Sequence, residues 1–350
     1  MEQIGRDFAV SAPSSAPAEQ LADRGLTLNP TIEDGWFSVV PSSATASAVA
    51  HLWREIWRYN AVQAVSVAAD GLGQPLHRLH AAVCAVNLEQ RLAPRLSAWL
   101  ASLMEAMQRG DGYAVHDIVQ AWCLDPPTTW AVDQIVTESI ASHAWEVELL
   151  SEVRGTRVQN VAPLTLFPLL ETDLTPLHAA AMQALALIAE ADPAMHDEIQ
   201  AHVSLIKLFS GPGVEGFSSP KAFGAIWLRL PEPGGELAWF LEHLVHECSH
   251  LHLNALLALD PLLLNPDELH QAPIRPDPRP LFQVLHGTFV LWRNCRVHRR
   301  LVKRHPELGL QLALTGFEEQ LARGLEVIHA RVQPTTRGRL LLDSFLSDLH

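Results

Sequence analysis

The sequence predicts a mainly α-helical protein with a small antiparallel β-sheet that precedes one apolar, histidine-rich helix. Apolar residues recur at helix spacing through most of the chain, in segments bounded by prolines, glycines and capping residues. Two stretches, 202–209 and 222–230, are compatible with strands, and the Gly/Pro/Ser-rich loop between them suggests an antiparallel pair. Both precede the helix that carries the candidate chemistry.

The N-terminal part of the chain is predicted to build structure rather than a site. Residues 1–43 contain a Ser/Pro/Ala-rich stretch and are expected to be partly flexible. We expect 44–155 to form a helical region, with an interruption at Pro94. Asp111 is a predicted helix N-cap, and another helix is predicted over about 128–150.

Residues 156–350 are predicted to form a metal-binding catalytic region. A strongly helical segment begins at Glu236, and a Pro/Asp-rich loop follows over 260–280. Pro280 can open the next helix, which is expected to end near Arg304. Two further helices are predicted at 307–332 and 335–349.

Composition and charge narrow the function classes. The 350 residues are 48% hydrophobic and 18% charged, which excludes wholesale disorder. A formal net charge of −14 argues against nucleic-acid binding as the main role. Four widely spaced cysteines favour a reducing compartment. Because we find no signal-peptide pattern and no run of about 18 apolar residues, we expect a cytoplasmic protein without a membrane partner.

The segment from His246 to His250 is an HExxH motif inside a predicted helix. Residues four apart lie about 40° apart around a helix axis and about 6 Å apart along it, so both imidazoles can bind one metal ion. Neutral imidazole suits Zn, Fe, Cu or Ni. Glu247 follows the first histidine and is a candidate general base on a metal-bound water. So short a motif also occurs by chance, and two ordinary helix-face histidines are the alternative.

A third metal ligand has to come from outside the motif. The longer pattern HExxHxxGxxH is excluded because leucine occupies both required downstream positions. Glu268, in a proline-punctuated segment 18 residues after His250, is one possible ligand. His286 is the other; it lies in an apolar helix, and the neighbouring Gly287 leaves room for close approach of a helix or ligand. On the residues alone, both stay open.

Two arginines lie at the same spacing on either side of His286. Arg279 and Arg293 are seven residues before and after it, two helical turns away and hence close to the same face. Guanidinium groups pair bidentately with carboxylates, so this pattern favours a metal-bound ligand that carries a carboxylate. The alternatives are a surface loop contact for Arg279 and a solvated basic helix face for Arg293.

The order of strand, HExxH helix, proline-rich loop and the segment RPDPRPLFQVLHG (275–287) resembles the HExxH-motif peptide-modification proteins. The resemblance covers roughly 217–300. It implies a non-haem Fe(II)- and 2-oxoglutarate-dependent oxygenase. Such an enzyme uses O2 to hydroxylate a side-chain β-carbon of a ribosomally synthesised precursor peptide.

The resemblance extends to individual residues. It matches His246, His250 and His286 to the metal ligands. Arg279 matches the arginine of the family's Arg-Pro pair, whereas Arg293 rests on helix spacing alone. The family implies Fe(II) and 2-oxoglutarate as cofactors, and it leaves the role of the motif glutamate open.

Two other functions compete with the oxygenase. A zinc-dependent metallopeptidase would use the two motif histidines, Glu268 or His286 as third ligand, and Glu247 as general base. A non-catalytic helical adaptor with a vestigial motif is the third possibility. Imidazole accepts both zinc and iron, so only the arginine-rich segment and the resemblance favour iron.

Overall fold

A computed structural model describes residues 32–73, 75–124, 131–132, 134–140, 143–155, 165–273 and 277–346. These residues form eleven α-helices and three small sheets, so the predicted mainly α class is confirmed. The helices are α1 Ser43–Leu72, α2 His77–Cys84, α3 Pro94–Gln108, α4 Gly112–Leu124, α5 Ala144–Gly155, α6 Glu171–Ala191, α7 Pro193–His202, α8 Glu236–Leu257, α9 Leu281–Arg304, α10 Gln311–Arg331 and α11 Thr336–Ser344. The strands are β1 Arg91–Leu92, β2 Ala131–Val132, β3 Val136–Ser139, β4 Leu205–Phe209, β5 Gly216–Ser218, β6 Ala225–Arg229, β7 Leu269–Gln271 and β8 Pro278–Pro280.

Several predicted helix boundaries agree with the structure. Helix α8 begins at Glu236, and α9 follows Pro280, which takes the N-cap position. Asp111 caps α4 by accepting a hydrogen bond from the Ala114 N–H at 3.0 Å. The predicted N-terminal segment lies outside the described residues up to position 31.

Two local predictions are wrong. The helix predicted over about 128–150 is formed only from Ala144 onward, because Val136–Ser139 pair with β4 instead. His202 ends α7, and the strand after it begins only at Leu205. In the first case sheet pairing overrides local helix preference. In the second, Asp192 caps α7 by accepting from the Met195 N–H, which fixes the helix start at Pro193, nine residues upstream of His202.

The sheet before α8 has four strands in the order β3-β4-β6-β5. The β5–β6 pair is antiparallel, whereas β3–β4 and β4–β6 are parallel. The two strands expected to form a hairpin therefore run parallel. The reason lies in the loop between them, where Gly216–Ser218 forms β5 and takes the antiparallel place beside β6. Among the described strands, β5 is an edge of this sheet.

The buried side chain of Lys207 in β4 forms ion pairs with residues of β3 and α5. Its ammonium group lies 2.9 Å from carboxylate oxygens of both Glu138 and Glu146, and the Lys207 side chain is fully buried. The Trp227 indole N–H donates to the other Glu146 oxygen at 3.4 Å. A buried ammonium group needs a compensating negative charge, and these two carboxylates supply it.

The hydrophobic core is divided. The largest cluster surrounds α8 and α9 and also takes in Val49 and Leu52 of α1. A second cluster joins α1 to α4 around Trp57, Leu96 and Val119. Both α1 and β3 thus pack on elements beyond residue 156. The domain division at 155/156 stays a prediction.

Helix α6 includes a stretch, Thr172–Ala191, that is long and apolar enough to cross a membrane by length and composition alone, with a mean hydropathy of 1.2. It packs against α8, with Ala181, Ala184 and Ile188 fully buried in the largest core cluster. Core helices of soluble proteins meet the same criterion, so the cytoplasmic localisation stays a prediction.

Candidate metal centre

Of the three predicted histidine ligands, His250 lies beside each of the other two, where α8 packs against α9. The ring centroids of His246 and His250 are 5.0 Å apart, as expected for residues one helical turn apart. His286 reaches the same place from α9, and its Nδ1 is 3.3 Å from the Nδ1 of His250. His250 and His286 are each only 7% exposed. The nearby imidazoles therefore come from two helices that are 24 residues apart in the chain.

This spacing fits shared coordination. Two nitrogens that each lie about 2.1 Å from one ion, with an angle between the bonds near tetrahedral, are separated by about 3.4 Å, close to the distance between His250 and His286. The same distance also suits a weak N–H···N hydrogen bond between the metal-free rings. A set of three imidazole ligands would suit Zn²⁺ or Fe(II).

The rival third ligand lies in a different environment. The Glu268 side chain is 52% exposed and pairs with His270 at 3.5 Å. His270 itself is in β7, opposite Arg279 of β8. Of the two alternatives left open by the sequence, His286 is the one that contacts His250, so we take it as the third candidate ligand.

Glu247 points from α8 toward the edge strand β5. Its side chain is 2% exposed, and a Cβ added at Gly216 would lie 2.8 Å from Glu247 Oε1. The carboxylate therefore packs directly against the strand backbone, at a place where only glycine leaves room for it. Glu247 therefore lies next to His246 in the chain and against the face of the edge strand β5.

Aromatic and acidic groups lie near His246, whose ring centroid is 6.2 Å from that of His243. Trp239 stacks on His243 at 3.6 Å between ring centroids, and the His243 ring donates from Nδ1 to the Trp239 carbonyl. Burial lowers the pKa of His243 to about 3, so this ring is neutral at physiological pH. Burial also raises the pKa of Glu242 to about 7, an effect that nearby His246 opposes and Glu215 reinforces.

The two predicted arginines differ in their surroundings. Arg279 pairs with Asp277 at 2.7 Å, and its side chain is 29% exposed. Its Nε donates to none of the described residues. Arg293 is fully buried, pairs with Glu198 and donates from Nε to the Val39 carbonyl at 3.0 Å. Both guanidinium groups therefore already pair with a carboxylate, and the difference is that the Arg279 pair is partly exposed whereas the Arg293 pair is buried.

Sequence reasoning missed a second group of side chains whose spacing could hold a metal ion, formed by Glu198, His202 and His252. His252 lies two residues beyond the HExxH motif on α8, and its ring contacts His202 of α7. The i, i+4 spacing of Glu198 and His202 was a visible signal. It was lost because His202 was assigned to a strand.

Comparison with known proteins names no relative: the chain matches no family model, and no curated protein matches it. The function therefore has to be argued from the site itself.

Proposed function

We propose that this protein is a non-haem Fe(II)/2-oxoglutarate-dependent oxygenase that hydroxylates a side-chain β-carbon of a ribosomally synthesised peptide. The observation that carries the proposal is the approach of His286 to His250, with His246 one turn away. Bound Fe(II) and 2-oxoglutarate would supply O2 activation and the oxidising power for attack on an unreactive C–H bond.

The three histidines would hold the metal from one side. Non-haem iron oxygenases more often use two histidines and one carboxylate, so three neutral ligands would leave the site more positive. A more positive site favours an anionic cofactor such as 2-oxoglutarate. The burial of His250 and His286 would limit water access to that side of the metal.

Arg279 is our choice for the distal carboxylate of 2-oxoglutarate. Its guanidinium is partly exposed and retains an Nε–H that donates to none of the described residues. The charge-assisted pairing of guanidinium with carboxylate would orient the cofactor. Arg293 is the weaker choice, because its pair with Glu198 is fully buried, whereas the pair of Arg279 with Asp277 is partly exposed and can exchange its partner.

The peptide would lie along β5. An extended chain can add to a sheet edge through main-chain hydrogen bonds, and β5 is the edge strand nearest the motif. At the start of β5, Glu215 pairs with Arg229 at 3.3 Å, and Arg229 lies over the Trp239 ring. These groups offer charge and an aromatic face to peptide side chains near His246.

One observation favours a second function, a zinc-dependent peptidase. Glu247 follows His246 directly and is buried against the face of the edge strand β5, so a general base stands next to the candidate metal ligands. Zn²⁺ on the same three histidines would make a bound water acidic enough for that base to activate.

The two functions separate in one assay. The protein, loaded anaerobically with Fe(II) and then supplied with O2, 2-oxoglutarate and a peptide library, should form succinate and peptides that are heavier by one oxygen atom. The zinc-loaded protein should leave the same library uncut. Peptide cleavage with zinc, without succinate formation under iron, would replace the oxygenase by the peptidase. Glu247→Gln would then abolish cleavage.

A further inference from the structure

A cleft lies where α1 packs against α3 and against the end of α7. It holds about 350 Å³ with its open mouth included, and the three candidate metal ligands are not among the described residues that line it. One wall is aromatic: Trp53 stacks on Phe223 at 4.4 Å between ring centroids, and Trp57 lies beside them in the lining. We call this space the α1 cleft.

The charge of the α1 cleft is opposite to that of the chain. The sequence holds 39 acidic residues against 25 lysines and arginines, yet none of the described lining residues is acidic. Arg54 and Arg91 both line the cleft. A concave site lined by one sign of charge attracts ligands of the opposite sign, so the lining favours an anion.

Arg54 can pair with such an anion. It donates from Nε to the Leu88 carbonyl at 2.6 Å and forms no ion pair with any described residue. Glu89 is close enough to oppose the lowering of the Arg54 pKa by burial, but the Glu89 side chain is 81% exposed and lies 3.6 Å from His51. Because Nε alone is engaged, both terminal nitrogens of Arg54 can donate to a planar carboxylate.

Arg91 adds a second guanidinium from β1. One of its terminal nitrogens donates to the Gln200 side-chain oxygen and to the Val203 carbonyl, both at 3.2 Å. These contacts tie the arginine to the end of α7, on the opposite side of the α1 cleft from Arg54. An anion between the two guanidinium groups would have its charge compensated, as a partly buried charge requires.

His202 contributes a further donor to the lining. Its Nε2 is 2.9 Å from His252 Nδ1, which is 3.5 Å from the carboxylate of Glu198. Since Arg293 holds Glu198 as a carboxylate that only accepts, we assign the proton to His252 Nδ1, and His202 Nε2 then accepts it.

Burial lowers the pKa of His202 to about 3, so the neutral ring carries its one proton on Nδ1. This Nδ1 has no hydrogen-bond partner among the described residues. A buried N–H without an acceptor is costly, and an acceptor group of a ligand would offset that cost.

We propose that the α1 cleft binds a small aromatic carboxylic acid, with its carboxylate on Arg54 and its ring against Trp53 and Phe223. Arg91 and the His202 Nδ1–H are the further donors. An inorganic anion would leave the aromatic wall unused, and a neutral aromatic molecule would leave Arg54 without a partner. The proposal is independent of the oxygenase, because it uses neither the three metal-binding histidines nor Arg279.

Calorimetric titration of the chelator-stripped full chain with benzoate tests this, with benzamide as the uncharged ligand of the same shape. We expect saturable binding of benzoate that is about tenfold or more tighter than that of benzamide, since a charge-assisted pair is lost. Arg54→Gln should weaken benzoate binding by about the same factor. Arg58→Gln is the matched control: Arg58 lies one turn further along α1, outside the described lining, and its loss should leave the affinity unchanged.

The remaining outcomes overturn the proposal in distinguishable ways. Benzoate binding that is lost in Arg279→Gln and kept in Arg54→Gln would move the carboxylate to the proposed oxygenase site. Nitrate that displaces benzoate at equal concentration would mean a site for inorganic anions only. Equal affinities for benzoate and benzamide, or no benzoate binding at about 10 mM, would remove the site. If Arg54→Gln does not fold, the comparison of the two ligands on the wild type and on Arg279→Gln still decides.

Discussion

Replacing Arg293 with methionine, in metal-free protein, should destabilise the fold by about 4 kcal/mol. The guanidinium is fully buried, pairs with Glu198, donates to the Val39 carbonyl at 3.0 Å and lies 4.2 Å over the Phe289 ring. Removing one partner of a buried ion pair costs about 3–5 kcal/mol, since the other charge stays buried alone. The lost hydrogen bond to Val39 costs about 1 kcal/mol more, and methionine recovers part of the packing.

A double-mutant cycle isolates the ion pair. Urea unfolding in chelator, at neutral pH, is measured for Arg293→Met, Glu198→Gln and the double variant. Once Glu198 is neutral, losing Arg293 should cost far less, so we expect a coupling of about 2–3 kcal/mol. Arg300→Met is the control, because Arg300 is 39% exposed in its pair with Asp192 and should cost under about 1 kcal/mol. The reasoning fails if Arg293→Met costs no more than the control, or if the two single changes simply add.

Three further predictions concern packing, the site and pH. Gly324→Ala should destabilise by about 2 kcal/mol, since a Cβ there would overlap the Thr288 hydroxyl of α9, whereas Gly316→Ala on the same helix meets open space and should be neutral or slightly stabilising by urea unfolding. Gly216→Ala should displace Glu247 and cut catalytic turnover while bound-metal content stays unchanged; lost metal instead would mean that the histidines had moved. Burial lowers the pKa of His298 to about 4 in the folded state, so the unfolded chain binds this proton first and stability falls as pH drops below the unfolded value of 6.5. Between about pH 7.5 and about pH 5 this proton should cost the wild-type protein about 2 kcal/mol of unfolding free energy. His298→Gln should remove that part of the pH dependence, and an unchanged pH slope would refute this.

The sequence could predict those parts of the fold that local chemistry controls. Helix α8 and the position of Pro280 before α9 followed from periodicity and capping. The parallel pairing of β4 with β6 could not be predicted, because it depends on β5 taking the place beside β6. The strand β3 was missed for the same reason: its partner β4 lies about 70 residues further along the chain.

The candidate site shows the same limit. The HExxH spacing alone predicted that His246 and His250 share a face, because both lie on one helix. The contact between His250 and His286 depends on how α8 packs against α9, and spacing could only suggest it. The charge on Arg293 was visible in the sequence. Its partner Glu198 is 95 residues earlier in the chain, so the pair depends on α7 lying beside α9 in the fold.

The most direct test of the proposed iron centre needs no peptide. Under anaerobic conditions, adding 2-oxoglutarate to the Fe(II)-loaded wild-type protein should produce the visible metal-to-ligand charge-transfer band of a 2-oxo acid chelated to Fe(II). His286→Ala should lose the band, and Arg279→Gln should require more 2-oxoglutarate to reach it. A wild-type protein that holds Fe(II) or Zn²⁺ on the three histidines, yet shows no band and no uptake of 2-oxoglutarate, would contradict the oxygenase.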